Sequence, residues 1–128
     1  MDFREMMCLF KVAVCYVFGS PVVGAVYCDR DLNLAVVFTG EQSSGQRTEA
    51  ALRRELSRHF PKANVDVISL EKASIALKFD VISSGRVIYC SDPVFKSRFE
   101  EIALRDYLDY KPVLETYFRE LEEAVYET

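Results

Sequence analysis

Hydrophobic residues in this chain follow a two-residue period in some segments and a helical period in others. Residues 12–18 form a continuous apolar run that ends in Gly19, a pattern typical of a strand buried on both faces. Residues 31–38 predict a second strand, and residues 65–68 and 86–89 predict two shorter ones. The pattern therefore predicts a small sheet.

Helical spacing occurs between and after these strands. Apolar residues four positions apart predict an amphipathic helix over residues 47–60, and a second helical stripe covers residues 73–81. Asp92 followed by Pro93 is a start signal for a long C-terminal helix, which Pro112 is expected to kink or split. We predict an α/β (α+β) fold, in which helices flank a small mixed sheet and a helical tail ends the chain.

Length and composition favour one domain. Half of the 128 residues are apolar, enough for one modest core. We expect a single domain over residues 1–128, with a core at about 10–90 and a helical tail at about 92–128. Sixteen Lys and Arg residues against twenty Asp and Glu residues give a net charge of −4. Residues 97–128 contain four basic and nine acidic residues, so this segment carries −5 and the rest of the chain +1. Without a basic surface, direct nucleic-acid binding is not expected.

The sequence shows no feature of export or membrane insertion. The first residues lack the basic and apolar segments of a secretory signal. The longest apolar run, residues 12–18, is far shorter than the ~20 residues that a membrane-spanning helix needs. We expect no membrane association and a cytoplasmic location with reduced thiols.

Cysteine and histidine do not form a recognisable site in the sequence. The four cysteines form no C-x-x-C pair and are interpreted as buried in the core; they are Cys8, Cys15, Cys28 and Cys90. His59, the only histidine, is expected on the surface near the end of a helix. The arginines of the same helix are interpreted as an exposed face, with contact to a nucleotide or an acidic partner as the alternative; they are Arg47, Arg53, Arg54 and Arg58.

Two acidic residues occupy predicted strands, where aspartate is uncommon. Asp31 opens the second strand with Asn33 on the same face, and Asp66 lies between two valines in the third. If the two strands are parallel neighbours, Asp31, Asn33 and Asp66 converge on one face. A divalent cation would relieve the repulsion between the two carboxylates. The alternative is that Asp31 ends a strand and Asp66 is an exposed residue of an edge strand.

Gly19 and Ser20 follow the first strand directly. A strand, a Gly-Ser turn and a helix that starts at Pro21 can form an anion site from backbone N–H groups. An ordinary capped turn is the alternative, and the segment is neither a Walker loop nor a dinucleotide-binding loop.

Taken together, the spacing of these residues resembles the nucleotidyltransferase superfamily in its minimal (MNT) form. The family pattern is a strand, Gly-Ser, ten residues, Asp-x-Asp opening the next strand, and a third Asp in a later strand. Here the corresponding residues are Gly19, Ser20, Asp31, Asn33 and Asp66. The resemblance implies a nucleotidyltransferase fold, with ATP bound at Gly19 and Ser20. It also implies catalytic positions at Asp31, Asn33 and Asp66, with Mg²⁺ held by Asp31 and Asp66.

Three positions depart from the family pattern. Members usually have Asp where Asn33 stands, often Arg where Pro21 stands, and often Ser where Arg30 stands. In the family, the first two acids bridge two metal ions and the third helps to activate the attacking hydroxyl. Because Asn33 offers a neutral oxygen without charge, we expect binding of the second metal ion to suffer and transfer to be slow or absent.

Small MNT proteins resemble the antitoxin half of HEPN/MNT toxin–antitoxin pairs. The resemblance implies an antitoxin that binds and neutralises a HEPN ribonuclease toxin, with AMP transfer to a tyrosine of the toxin weakened or lost. One alternative is an active Mg²⁺-dependent transferase that moves AMP from ATP to a protein tyrosine or a small molecule. Another is a binding module without nucleotide. Homo-oligomer formation is a further expectation, because a sheet edge and an apolar tail both need cover.

Overall fold

A computed structural model of the chain describes residues 2–19, 31–40 and 46–126. Within these ranges there are four strands and four α-helices. In chain order they are α1 (Phe3–Leu9), β1 (Val12–Phe18), β2 (Asp31–Phe38), α2 (Gln46–His59), β3 (Asn64–Ser69), α3 (Ile75–Ser84), β4 (Arg86–Cys90) and α4 (Pro93–Tyr126). A short 3₁₀ turn, Leu70–Lys72, follows β3.

The strands form one mixed sheet in the order β3-β2-β1-β4. β1 pairs antiparallel with both β2 and β4, whereas β2 and β3 are parallel. A parallel pair needs a crossover connection, and α2 provides it. The predicted α+β class and mixed sheet are confirmed, and all four predicted strands are present.

Alternating side chains of β2 divide the core into two layers. Leu32, Leu34, Val36 and Phe38 lie in one cluster with residues of α1 and α2, including Leu52 and Leu56. Ala35 and Val37 lie on the other face, in a cluster that includes Val81 of α3 and is flanked by Phe95 and Phe99 of α4. The sheet is therefore covered by helices on both faces, as the apolar run of β1 predicts.

The start of α4 and the end of α3 each depend on one residue at the helix end. The Oδ1 atom of Asp92 accepts hydrogen bonds from the backbone N–H groups of Val94 and Phe95, each at 3.1 Å, which starts α4. Gly85 ends α3 in an extended conformation, with φ −75°. Glycine is required there for space, because a Cβ atom would collide with the carbonyl oxygen of Val81.

The sequence predicts that Pro112 kinks α4 or splits it in two. α4 is one helix from Pro93 to Tyr126 with Pro112 inside it, so the split is wrong and the kink stays a prediction. The missing N–H of Pro112 removes one backbone hydrogen bond, and Thr116 Oγ1 donates to the carbonyl oxygen of Pro112 at 3.0 Å. Among the described residues, no helix is long and apolar enough to cross a membrane.

Buried contacts fix the first part of α4 to the sheet. The hydroxyl of Tyr16 in β1 donates to Oε2 of Glu100 at 2.6 Å, and Lys96 Nζ lies 3.1 Å from Oε1 of the same carboxylate. Burial raises the pKa of Tyr16, as do the hydrogen bond and the negative charge of Glu100. Farther along, the Phe79 ring of α3 stacks on Tyr107 with ring centroids 3.8 Å apart. These contacts fix the direction in which α4 extends beyond the sheet and α3.

Candidate functional site

The parallel pairing of β2 and β3 brings the predicted acids together. Asn33 is in register with Asp66, and Asp31 is in register with Asn64. Successive side chains of a strand point to opposite faces, so Asp31 and Asn33 lie on the face of Ala35, and Asp66 shares a face with Asn64. The two strands are therefore parallel neighbours, which is the condition under which Asp31, Asn33 and Asp66 converge.

Asp31 and Asp66 are diagonal neighbours on this face. With strands about 4.8 Å apart and two residues of rise between them, their Cα atoms lie about 8 Å apart. Both residues are exposed, at the N-terminal end of the parallel pair. Asn64 Nδ2 donates to Asp31 Oδ1 at 3.1 Å, which holds one carboxylate in place.

Gly19 lies against the middle of this group. It follows β1 directly, and Phe18 pairs with Asn33 across the antiparallel ladder. Gly19 has φ +89°, and a Cβ atom there would lie 2.9 Å from Asn33 Nδ2. Both the backbone conformation and the contact with Asn33 therefore require glycine. Ser20, the second predicted nucleotide-binding residue, lies outside the described residues, as does the predicted helix start at Pro21.

Asp66 has a cationic neighbour that the sequence analysis did not single out. The NH2 nitrogen (Nη2) of Arg53 in α2 lies 3.3 Å from Asp66 Oδ1 and donates to the carbonyl oxygen of Val67 at 2.9 Å. The side chain of Arg53 is 42% exposed, and its Nε atom is buried without a hydrogen-bond partner. Interpretation as an exposed helix face is correct for Arg47, Arg54 and Arg58, but not for Arg53.

The signal that could have indicated Arg53 is its place beside Leu52. Leu52 lies on the fully buried side of the crossover helix α2. Arg53, the next residue, therefore lies at the border between the buried and exposed sides of α2, next to the edge strand β3. Long basic side chains at such borders lay their aliphatic part on the protein and extend the charged group toward a polar partner. The sequence does not say which partner, because that depends on how α2 crosses the sheet.

The other chemically notable residues lie apart from this group. His59 is the last residue of α2 and exposed, with its ring 4.7 Å from that of Phe60, which confirms the surface interpretation. Cys15 is buried, and burial raises the pKa of its thiol to about 12. Cys90 is partly buried and Cys8 is exposed, so burial in the core is the wrong interpretation for Cys8. Cys28 lies outside the described residues.

α4 carries a second notable surface. Beyond Tyr107, every residue of α4 with a described side chain is exposed except Leu114, which is partly buried. Large apolar side chains between 48% and 58% exposed lie along this part, and we call them the distal α4 surface: Leu108, Val113, Tyr117, Phe118 and Leu121. Contiguous exposed apolar side chains of this kind mark sites of protein association.

A family model described as "Polymerase beta, Nucleotidyltransferase" matches residues 6–94. None of the curated proteins matches the chain. Among solved structures, one chain of a mutant toxin–antitoxin complex, MntA-HpeT, is 15% identical over 92% of this chain and 93% of its own length, with a TM-score of 0.73. A chain of the tri-AMPylated Shewanella oneidensis HEPN toxin in complex with MNT antitoxin is 18% identical over 92% and 91%, also with a TM-score of 0.73.

A chain of a toxin–antitoxin complex with AMP-PNP is similar to the same degree. It is 15% identical over 94% of this chain and 99% of its own length, with a TM-score of 0.71. At these identities the likeness establishes the fold, which is the nucleotidyltransferase fold that the resemblance at Gly19, Asp31 and Asp66 implies.

Proposed function

The chain belongs to the polymerase β nucleotidyltransferase family, and from that premise we propose that it is an MNT-type antitoxin that binds and neutralises a HEPN ribonuclease toxin. Its own AMP-transfer activity is weak or lost. The observation that carries this proposal is the register of Asn33 with Asp66. It places an uncharged amide at the centre of the acidic group that the family pattern contains. The domain around this amide otherwise has the nucleotidyltransferase fold.

The donors on this face fit one divalent cation better than two. Mg²⁺ is commonly held by one or two carboxylates, with phosphate oxygens and waters completing its shell. Asp31 and Asp66 would supply the carboxylates, and Asn33 a neutral oxygen. The described residues include no group of three His, Cys, Asp or Glu side chains that could hold a metal ion. A bound Mg²⁺ ion would supply charge neutralisation to the phosphates of ATP.

Gly19 and Ser20 would bind the phosphates of the nucleotide. Gly19 has no side chain to block the approach of a phosphate, and it has a positive φ. Asp31 keeps its orientation through Asn64 and would bind the cation on the phosphate side. The residues of the site thus support nucleotide binding, whereas the charge needed to hold two metal ions is missing.

A protein partner is supported by the distal α4 surface. The 34-residue α4 is about 51 Å long, and about 28 Å of it lies beyond Tyr107. Acidic residues accompany the apolar ones there, including Glu120, Glu122 and Glu123. Such a surface fits a partner that offers an apolar groove with basic borders. Two similar solved structures are described as toxin–antitoxin complexes, and a third as a HEPN toxin with an MNT antitoxin. We extend that pairing to this chain.

The test is an RNA-cleavage assay with a HEPN-type ribonuclease as partner, sought among the products of the neighbouring genes. We expect cleavage to fall to background at equimolar antitoxin, even without ATP, because binding rather than AMP transfer provides the inhibition. The matched control is Phe118→Glu, which changes only an exposed side chain of the distal α4 surface. Undiminished cleavage at a large excess of the natural protein would refute the proposal. A cytoplasmic location, homo-oligomer formation and a single domain over residues 1–128 stay predictions.

A further inference from the structure

Arg53 contacts the site from the opposite side of the sheet. α2 lies on the face that buries Leu52 and Leu56, whereas Asp66 points to the other face. β3 is an edge strand, so Arg53 can reach around it to Asp66. Its guanidinium also donates to the backbone carbonyl of Val67. Because Val67 is fully buried in the edge strand, this hydrogen bond to its main chain holds the cation beside Asp66 without help from the carboxylate.

The guanidinium of Arg53 reduces the net negative charge of the group that would hold a metal ion. Asp31 and Asp66 carry −2 between them, and Arg53 reduces the charge of the group to −1. A cation held by Asp66 would share this carboxylate with the guanidinium. The 3.3 Å ion pair and a metal–oxygen distance of about 2.1 Å then bring the two cations to about 5 Å.

We infer that Arg53 is a resident countercharge of Asp66, a positioning residue that competes with divalent cations for that carboxylate. The inference rests on the proposed site, and it adds a second cause of weak metal binding that is independent of Asn33. It also accounts for an unusual feature of the side chain. The buried Nε atom without a hydrogen-bond partner is a cost that the contacts of Nη2 to Val67 and Asp66 offset.

The test is a titration of Mn²⁺, with free Mn²⁺ measured by electron paramagnetic resonance, on the natural protein and on Arg53→Met. Methionine keeps an unbranched apolar side chain and removes the guanidinium. Repulsion between a single and a double charge about 5 Å apart in water corresponds to about a tenfold change in affinity. We therefore expect Arg53→Met to bind Mn²⁺ about tenfold more tightly, and Arg53→Lys to remain within about twofold of the natural protein.

The matched control is Arg58→Met. Arg58 lies in the same helix and also has a carboxylate partner, Glu55 at 3.1 Å, but it is 76% exposed and away from Asp66. Since both substitutions remove one positive charge, a purely nonspecific charge effect would tighten Mn²⁺ binding equally in both. Arg53→Gln, which keeps a polar side chain without the positive charge, replaces Arg53→Met if circular dichroism shows that the latter is unfolded.

The possible outcomes distinguish a failure of this inference from a failure of the proposed metal site. Equal or weaker Mn²⁺ binding by Arg53→Met, with measurable binding by the natural protein, overturns the role of Arg53 and leaves the proposed site intact. Equal tightening in Arg58→Met also overturns it. If neither the natural protein nor Arg53→Met binds Mn²⁺ at millimolar concentration, the metal site of the proposed function is refuted together with the inference.

Discussion

Replacing Asn33 by Asp restores the acid that the family pattern contains and adds no heavy atom. The new carboxylate would face Asp66 across the parallel pair, at the strand spacing of about 4.8 Å. Because Asp66 is 60% exposed, a dielectric constant close to that of water applies, and the two charges repel by about 1 kcal/mol. Without metal, the free energy of unfolding should fall by that amount, which lowers the melting temperature by about 4 °C.

With Mg²⁺ the sign of the effect should reverse. A unit charge about 4 Å from a dication gains about 2 kcal/mol in water, which corresponds to binding about 30-fold tighter. Calorimetric titration of Mg²⁺ measures this change directly. Transfer of labelled AMP to the HEPN partner should also increase, and it should disappear when Asp31→Ala or Asp66→Ala is added.

Ala76→Asp provides the charge control for this experiment. Ala76 is exposed in the first turn of α3, which follows the far end of β3, where Ser69 pairs with Val36. It adds the same charge away from the site, so its effect on Mg²⁺ affinity should be small. If Asn33→Asp binds Mg²⁺ no more tightly than this control, the missing charge at residue 33 is not what weakens the site.

Three further substitutions test the packing, the partner surface and the core. Tyr16→Phe removes the hydrogen bond to Glu100 and should lower the free energy of unfolding in urea by about 1–2 kcal/mol; an unchanged value would mean that this contact does not fix α4. Phe118→Glu should abolish binding to the HEPN partner in a pull-down while shifting the melting temperature by less than about 2 °C, because Phe118 is 55% exposed; unimpaired binding would place the partner elsewhere. The pKa of Cys15 is raised by burial from 9.0 to about 12, so the unfolded chain loses this proton first and stability should decline as the pH rises from about 9 to about 12. Cys15→Val should remove that part of the decline in urea titrations at successive pH values, and an identical pH profile would contradict it.

The strands and the main helices could be predicted because their signals are local. The apolar run of residues 12–18 and the alternation of residues 31–38 suit one secondary structure each, and the Asp92-Pro93 pair fixes the start of α4. α1 was not predicted. It has only seven residues, and its stability comes from the burial of Met6 and Met7 and a cap at Asp2, which accepts from the N–H of Glu5 at 2.8 Å.

The predictions at Pro112 and at the candidate site were incomplete for different physical reasons. The penalty of a proline inside a helix is real, but a single lost hydrogen bond does not outweigh the many others of a 34-residue helix. Within the site, spacing alone indicated Asp31, Asn33 and Asp66. The contacts of Asn64 and Arg53 depend on strand register and on the path of a side chain around β3, which no local pattern encodes.

The contacts that orient the distal α4 surface are separate from those that hold the candidate site. The proposed binding of a toxin and the proposed binding of a metal ion would therefore respond to different substitutions. The direction of α4 depends on the hydrogen bond from Tyr16 to Glu100 and on the stacked rings of Phe79 and Tyr107. Among the described residues, no hydrogen bond or ion pair joins these side chains to Asn33, Asp31 or Asp66. Substitutions without shared partners act additively on stability. In the proposed site, an amide at residue 33 would weaken metal binding without changing the distal α4 surface, so selection for toxin binding alone would not restore the acid.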